Sequence, residues 1–227
     1  MNTPLVFQRF LSETEHHYRQ KLASLPLFDP SQTSKWSDEQ KKLFAAVFYH
    51  LRGYFIDFMW YFANFCSDSE IKSIVLENIN EELGLEGRMS HEQLYAQFAQ
   101  ECGIDVKDEI INETHYYPFA KEFNKQHLRW LTKHDVSEQL AAFAAYEKLD
   151  NIDYPHLSKL AASLNLSDKA MIFFKVHVHV EHFEAAYERL STVWENNPEN
   201  VKKAFAFVYS HQYEMWQTLS DTIFAVH

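Results

Sequence analysis

The stretch FFKVHVHVEHFEAAYERL, residues 173–190, carries three histidines and three glutamates between His177 and Glu188. Imidazoles and carboxylates are the side chains that hold divalent metals, so the first question is which backbone conformation would gather them. As a strand, KVHVHVEH alternates with a two-residue period, and His177, His179 and Glu184 match the HxH(x4)E spacing of a cupin metal site. A cupin jelly roll needs glycine at many turns, however, and no glycine follows Gly103. As a helix, the segment puts His177, Glu181, Glu184 and Glu188 on one face at steps of 4, 3 and 4, with His179 and His182 on other faces. Neighbouring carboxylates on such a face repel by about a few tenths of a kcal/mol per solvated pair, and a bound cation reverses the sign. A solvated acidic face is the competing reading.

Three further donors lie elsewhere in the chain. Glu81, in ENINEELG, sits at helical steps from Ile74 and Leu85 that turn it inward, with Glu77 and Glu82 read as exposed. His91 follows Ser90 ten positions later, within reach of Glu81 across a tight turn. Glu147 occupies a position of QLAAFAAYEKL that periodicity assigns to the core, where a carboxylate must be neutral, paired or on a metal. Glu81, His91, Glu147, His177, Glu181 and Glu184 together make four carboxylates and two imidazoles. Four negative charges balance two divalent cations, which lets such a set be buried. A ferritin-like site would need paired ExxH motifs, and Glu13 to His16 is the single candidate.

The elements that must position these residues read as helices throughout. The chain has 227 residues, four glycines and six prolines, which favours one all-α domain over residues 1–227. Start signals cut it into segments: Thr3-Pro4 to about Ser24, Ser37 with Gln40 to about Phe65, Ser67 to about Gly84, and Ser90 with Gln93 to Gly103. Further helices run from Pro118 to about His134, Ser137 to Leu149, Pro155 to Leu164, from Ser167 through the opening stretch, and from Pro198 to the C-terminus. Leu43 to Cys66 is apolar enough to resemble a membrane span, yet His50, Arg52 and Asp57 mark it as a buried core helix, in which they line an internal cavity or snorkel out of it. A net charge of −11 disfavours nucleic acid and anionic membranes as partners. Cys66 and Cys102, without a CxxC motif, fit packed thiols in a reducing cytoplasm.

In order and spacing, residues 40–220 resemble the heme-oxygenase-like diiron oxidases, relatives of the chlamydial death-domain-associating protein. The resemblance lies in Glu81 and His91 of ENINEELGLEGRMSH, Glu147 of AAYEKLDNIDYP, and His177, Glu181 and Glu184 of HVHVEHFE. Glu181 stands where that family usually has aspartate, and Glu184 where it usually has histidine. His182 is an alternative to Glu184 if the helix is distorted locally. The resemblance implies an up-and-down bundle of about seven helices around two iron ions, with manganese a possible substitute. It implies an enzyme that reduces O2 to a bridging peroxide and oxidises a small amino-acid-like or fatty-acid-like substrate. Arg52 or Lys175 could then bind a substrate carboxylate. A homodimer and an external electron donor are compatible partners. The competing functions are a metal-free, thiaminase II-like hydrolase with a cysteine nucleophile and a non-catalytic helical interaction protein. Cys102 suits the hydrolase poorly, since it lies at a helix C-terminus.

Overall fold

The computed structural model describes residues 5–52, 54–85, 87–179 and 183–226, and every regular element among them is helical. In chain order these are α1 (Leu5–Leu22), a 3-10 turn (Pro26–Phe28), α2 (Pro30–Thr33), α3 (Asp38–Arg52), α4 (Tyr54–Phe65), α5 (Ser69–Glu82) and α6 (His91–Glu101). There follow α7 (Val106–Asn112), α8 (Pro118–Lys133), α9 (Val136–Ser163), α10 (Ile172–His179), α11 (Phe183–Asn196) and α12 (Pro198–Phe224). The opening stretch is therefore helical on both sides of residues 180–182, and the strand reading is excluded for the described part. No described helix is long and apolar enough to cross a membrane, including α3 and α4 on either side of position 53.

Several boundaries follow from capping. Ser90 accepts from the Gln93 backbone while Gln93 reaches back to the Ser90 N–H, a reciprocal pair that fixes His91 as the first residue of α6. Ser37 and Gln40 make the same exchange before α3. Gly103, at φ +84°, ends α6 in the left-handed conformation. Two expected boundaries differ. Asp135, not Ser137, caps α9 through the Ser137 and Glu138 backbone N–H groups. Pro155 lies inside α9 rather than starting a new helix, because burial of Ile152, Asp153, Tyr154, Leu157 and Leu160 on both sides of it outweighs one missing hydrogen bond.

α9 is the axis of the bundle. It packs against α10, α11 and α12 and is buried over most of its circumference, as a central helix must be. Rings fill the remaining space: Phe48, Tyr95, Phe98, Phe173 and Trp216 are buried and in mutual edge or tilted contact.

Candidate metal centre

Three elements deliver one side chain each to a single point. On α5 the buried positions Ile71, Val75 and Asn78 run at steps of 4 and 3, and the next step of 4 along that stripe is Glu82. The chain then reverses at Gly84, φ +65°, where a side chain would collide with the Met89 carbonyl and the Ser90 nitrogen. That tight return places His91 beside Glu82, and α10 brings His177 to both. One donor atom from each of Glu82, His91 and His177 lies within 4.8 Å of the others.

The local bonds fix which atoms carry lone pairs. His91 Nδ1 donates to Glu82 Oε1 at 2.8 Å, and His177 Nδ1 donates to the Phe173 carbonyl at 2.7 Å. In both rings this leaves Nε2 as the nitrogen open to a metal. The ring of His177 is held by Tyr154, stacked at 4.1 Å and 18°. Burial, reinforced by the neighbouring His91, pushes His177 down to about 3, so it stays neutral and able to coordinate. Burial pushes Glu82 up, but the hydrogen bond and charge of His91 outweigh it and hold the carboxyl below its ordinary range. The carboxylate of Glu82 with the imidazoles of His91 and His177 is a donor set for Fe(II) or Mn(II), so the residues present fit iron.

Around this point lies a space of about 20 Å³, lined also by Asn78, Glu147, Asp150, Asn151 and Tyr154. That is room for an ion or a water, not for an organic molecule. Glu147, 3% exposed, accepts from Asn78 Nδ2 at 2.9 Å. Phe55, Glu82, Asp150 and Tyr154 also line a second cavity of about 460 Å³, walled by Phe48, Phe58, Phe123, Tyr146, Leu157, Met215 and Trp216. On its wall, buried Asp153 accepts from Tyr18 (3.0 Å), Trp216 Nε1 (2.8 Å) and Gln212 Nε2 (3.2 Å). Burial outweighs these donors and raises Asp153 to about 7. Asp150 is raised well above the carboxylate range by burial and by the charges of Asp153 and Glu82.

The structure thus brings His91 and His177 together and puts Glu147 on the same small space. Among the described residues the three-residue group holds Glu82, and its neighbour Glu81 is half-buried on α5. Of the two residues expected to turn Glu81 inward, Ile74 is half-buried against the core and Leu85 is 48% exposed. Glu184 is exposed in the first turn of α11 and lines neither cavity. Glu181 and His182 lie outside the described residues. Arg52 lines the large cavity, but Glu92 holds its Nη2 at 2.6 Å and its guanidinium lies against the Tyr95 and Phe173 rings. Lys175 is exposed and paired with Asp168, away from both cavities. Cys66 and Cys102 are buried and line neither cavity, and burial pushes Cys102 up to about 12, which disfavours it as a hydrolase nucleophile.

Comparison with known proteins bears on the family and the fold. A family model described as iron-containing redox enzyme matches residues 42–212. A CADD-like protein of unknown function from Nostoc punctiforme superposes with a TM-score of 0.71 at 19% identity, covering 95% of this chain and 99% of that one. A domain of unknown function with a heme oxygenase-like fold from Shewanella denitrificans gives 0.73 at 14% identity, over 96% and 92% of the two chains. No curated protein sequence matches.

Proposed function

The chain belongs to the iron-containing redox enzymes and has a heme oxygenase-like fold, and from that premise we propose that it uses a pair of iron ions and O2 to oxidise a small organic substrate. Glu82, His91 and His177 would hold one ion, and Glu147, across the small space, would supply a carboxylate to the second. The iron supplies the redox chemistry; the chain supplies position, charge and shelter.

Each contribution can be assigned to an atom. The Phe173 carbonyl fixes the tautomer of His177 so that Nε2 faces the site, and Tyr154 prevents the ring from turning. Asn78 Nδ2 steers one oxygen of Glu147. Phe55 and Tyr154 line both the ion space and the large cavity, and with Phe58 they would shield a substrate bound there from water. The observation that carries the proposal is the Glu82, His91 and His177 cluster, whose space shares wall residues with a cavity of substrate size.

A second reading, one iron on two histidines and one carboxylate, is favoured by the fact that three donors already converge within 4.8 Å. Metal analysis of protein purified from iron-supplied cells separates the two. About two irons per chain supports the pair, and about one supports the single-iron site. None, after anaerobic reconstitution with Fe(II), ends both.

A further inference from the structure

The chemical class of the ligand can be read from the charges on the large cavity. Its wall carries four carboxylates, Glu82, Glu92, Asp150 and Asp153, and one guanidinium, Arg52. Glu82 is committed to His91, and Glu92 to Arg52. His127, also on the wall, is held neutral because burial pushes its basicity well below the ordinary value. Asp153 has three neutral donors. Asp150, half-buried on α9, makes no hydrogen bond or ion pair among the described residues, and its side chain borders both the ion site and the large cavity.

A carboxylate sheltered from bulk water without a donor or cation is expensive, and a ligand that supplies both removes the cost. A carboxylate-headed ligand would meet the opposite situation. The one guanidinium on the wall is already paired with Glu92, and Asp150 and Asp153, which burial disposes to keep their protons, offer a carboxylate no cation; an ammonium beside Asp150 instead favours its charged form. The aromatic surfaces of Phe55, Tyr146 and Tyr154 suit a cation as well as an apolar body.

We propose that the large cavity takes an organic ammonium ion with an apolar body, its nitrogen seated on Asp150 and its carbon chain along the wall of Phe48, Phe58, Leu157 and Trp216. Asp150 then determines specificity, and the position it gives the nitrogen turns the adjacent carbons toward the Glu82 side of the cavity. The assignment rests on the reading of this cavity as the substrate chamber of the iron site.

The test uses three eight-carbon probes that differ in the head group: octylamine, octanol and octanoate. Binding to the full chain is measured by calorimetry, in the iron-loaded anaerobic form and after chelation, for the unaltered protein and for Asp150→Asn. Octylamine is expected to bind at least tenfold tighter than octanol and octanoate. Asp150→Asn is expected to lose at least tenfold in octylamine affinity, with octanol affinity and iron content unchanged. Octanoate binding as tightly as octylamine overturns the assignment, and so does an unchanged octylamine affinity in the variant. Loss of iron in the variant makes Asp150 a metal ligand and overturns it too. The probe series on the unaltered chain decides the question even if the variant does not fold. Iron uptake without amine preference sinks this inference and spares the iron reading, whereas amine preference in a chain that takes up no iron does the reverse.

Discussion

Asp153 ties three helices together, and its titration should be visible in the stability of the whole protein. Tyr18 on α1 and both Gln212 and Trp216 on α12 donate to a carboxyl that is 1% exposed on α9. Burial raises it from 3.8 to about 7. A group whose pKa is raised on folding contributes fully below its unfolded value and loses that contribution as pH rises through its folded value. The window is therefore from about 3.8 to about 7. Within it, linkage gives a loss of roughly 2–3 kcal/mol between about pH 5 and about pH 8, or about 4–12 °C in Tm for a chain of this size. Asp153→Asn removes the titration while keeping one acceptor oxygen. Urea unfolding of both proteins across this range should show the variant less stable at the acid end, through its weakened hydrogen bonds, and gaining about 2–3 kcal/mol on the parent toward the alkaline end. A difference that stays constant with pH would refute the reasoning and mean that the carboxyl is ionised throughout.

Glu82→Ala and His177→Ala should each lower bound iron by at least half, and Glu81→Ala should leave it unchanged, as read by metal analysis of the reconstituted proteins. Gly84→Ala should reduce iron as well, because the turn that returns His91 to Glu82 has no room for a methyl group. Glu109 is 3% exposed and bonded at 2.7 Å by His50 Nε2, His115 Nδ1 and the His115 backbone N–H. Glu109→Ala should cost about 3 kcal/mol in urea unfolding while sparing iron content, since it strands these donors far from the cluster. Cys66→Ser and Cys102→Ser should retain O2 consumption with any accepted substrate, which a thiol mechanism would not.

The sequence was legible where its signals are local. The capping boxes at Ser37 and Ser90, the stop at Gly103 and the start at Pro198 each correspond to a helix end. Turn chemistry also excluded the strand, since alternation in KVHVHVEH carries no information about what surrounds it. Choices between adjacent residues are less legible. Glu81 and Glu82 differ by a rotation of about 100° about one helix; the spacing from Ile74 and Leu85 favours Glu81, and the buried stripe of Ile71, Val75 and Asn78 leads to Glu82. Asp150 and Asp153 escape the sequence signals because Pro155 reads as a helix start, which cuts α9 at the point where its inward stripe continues. His50, on the apolar α3, serves the Glu109 clamp.

The stripe on α9 says most about why this bundle is more than scaffolding. Glu147, Asp150 and Asp153 follow one another at steps of three, so all three project from one side of the most enclosed helix of the chain. A helix selected only for packing would put leucine or alanine there, as α9 does at Leu140, Ala144 and Leu160. The three carboxyls are compensated differently: Glu147 by Asn78 beside the ion site, Asp153 by three donors from other helices, and Asp150, between them, by no hydrogen bond or ion pair among the described residues. Pro155 adds to the cost locally, since it cannot donate to the carbonyl of Asn151, which itself lines the ion space. Destabilising choices concentrated within 147–155, on a helix that is otherwise close-packed, are what a site held under load requires. The same concentration explains why the sequence signal was weak: the groups that do chemistry here interrupt the very periodicity by which a buried helix is recognised.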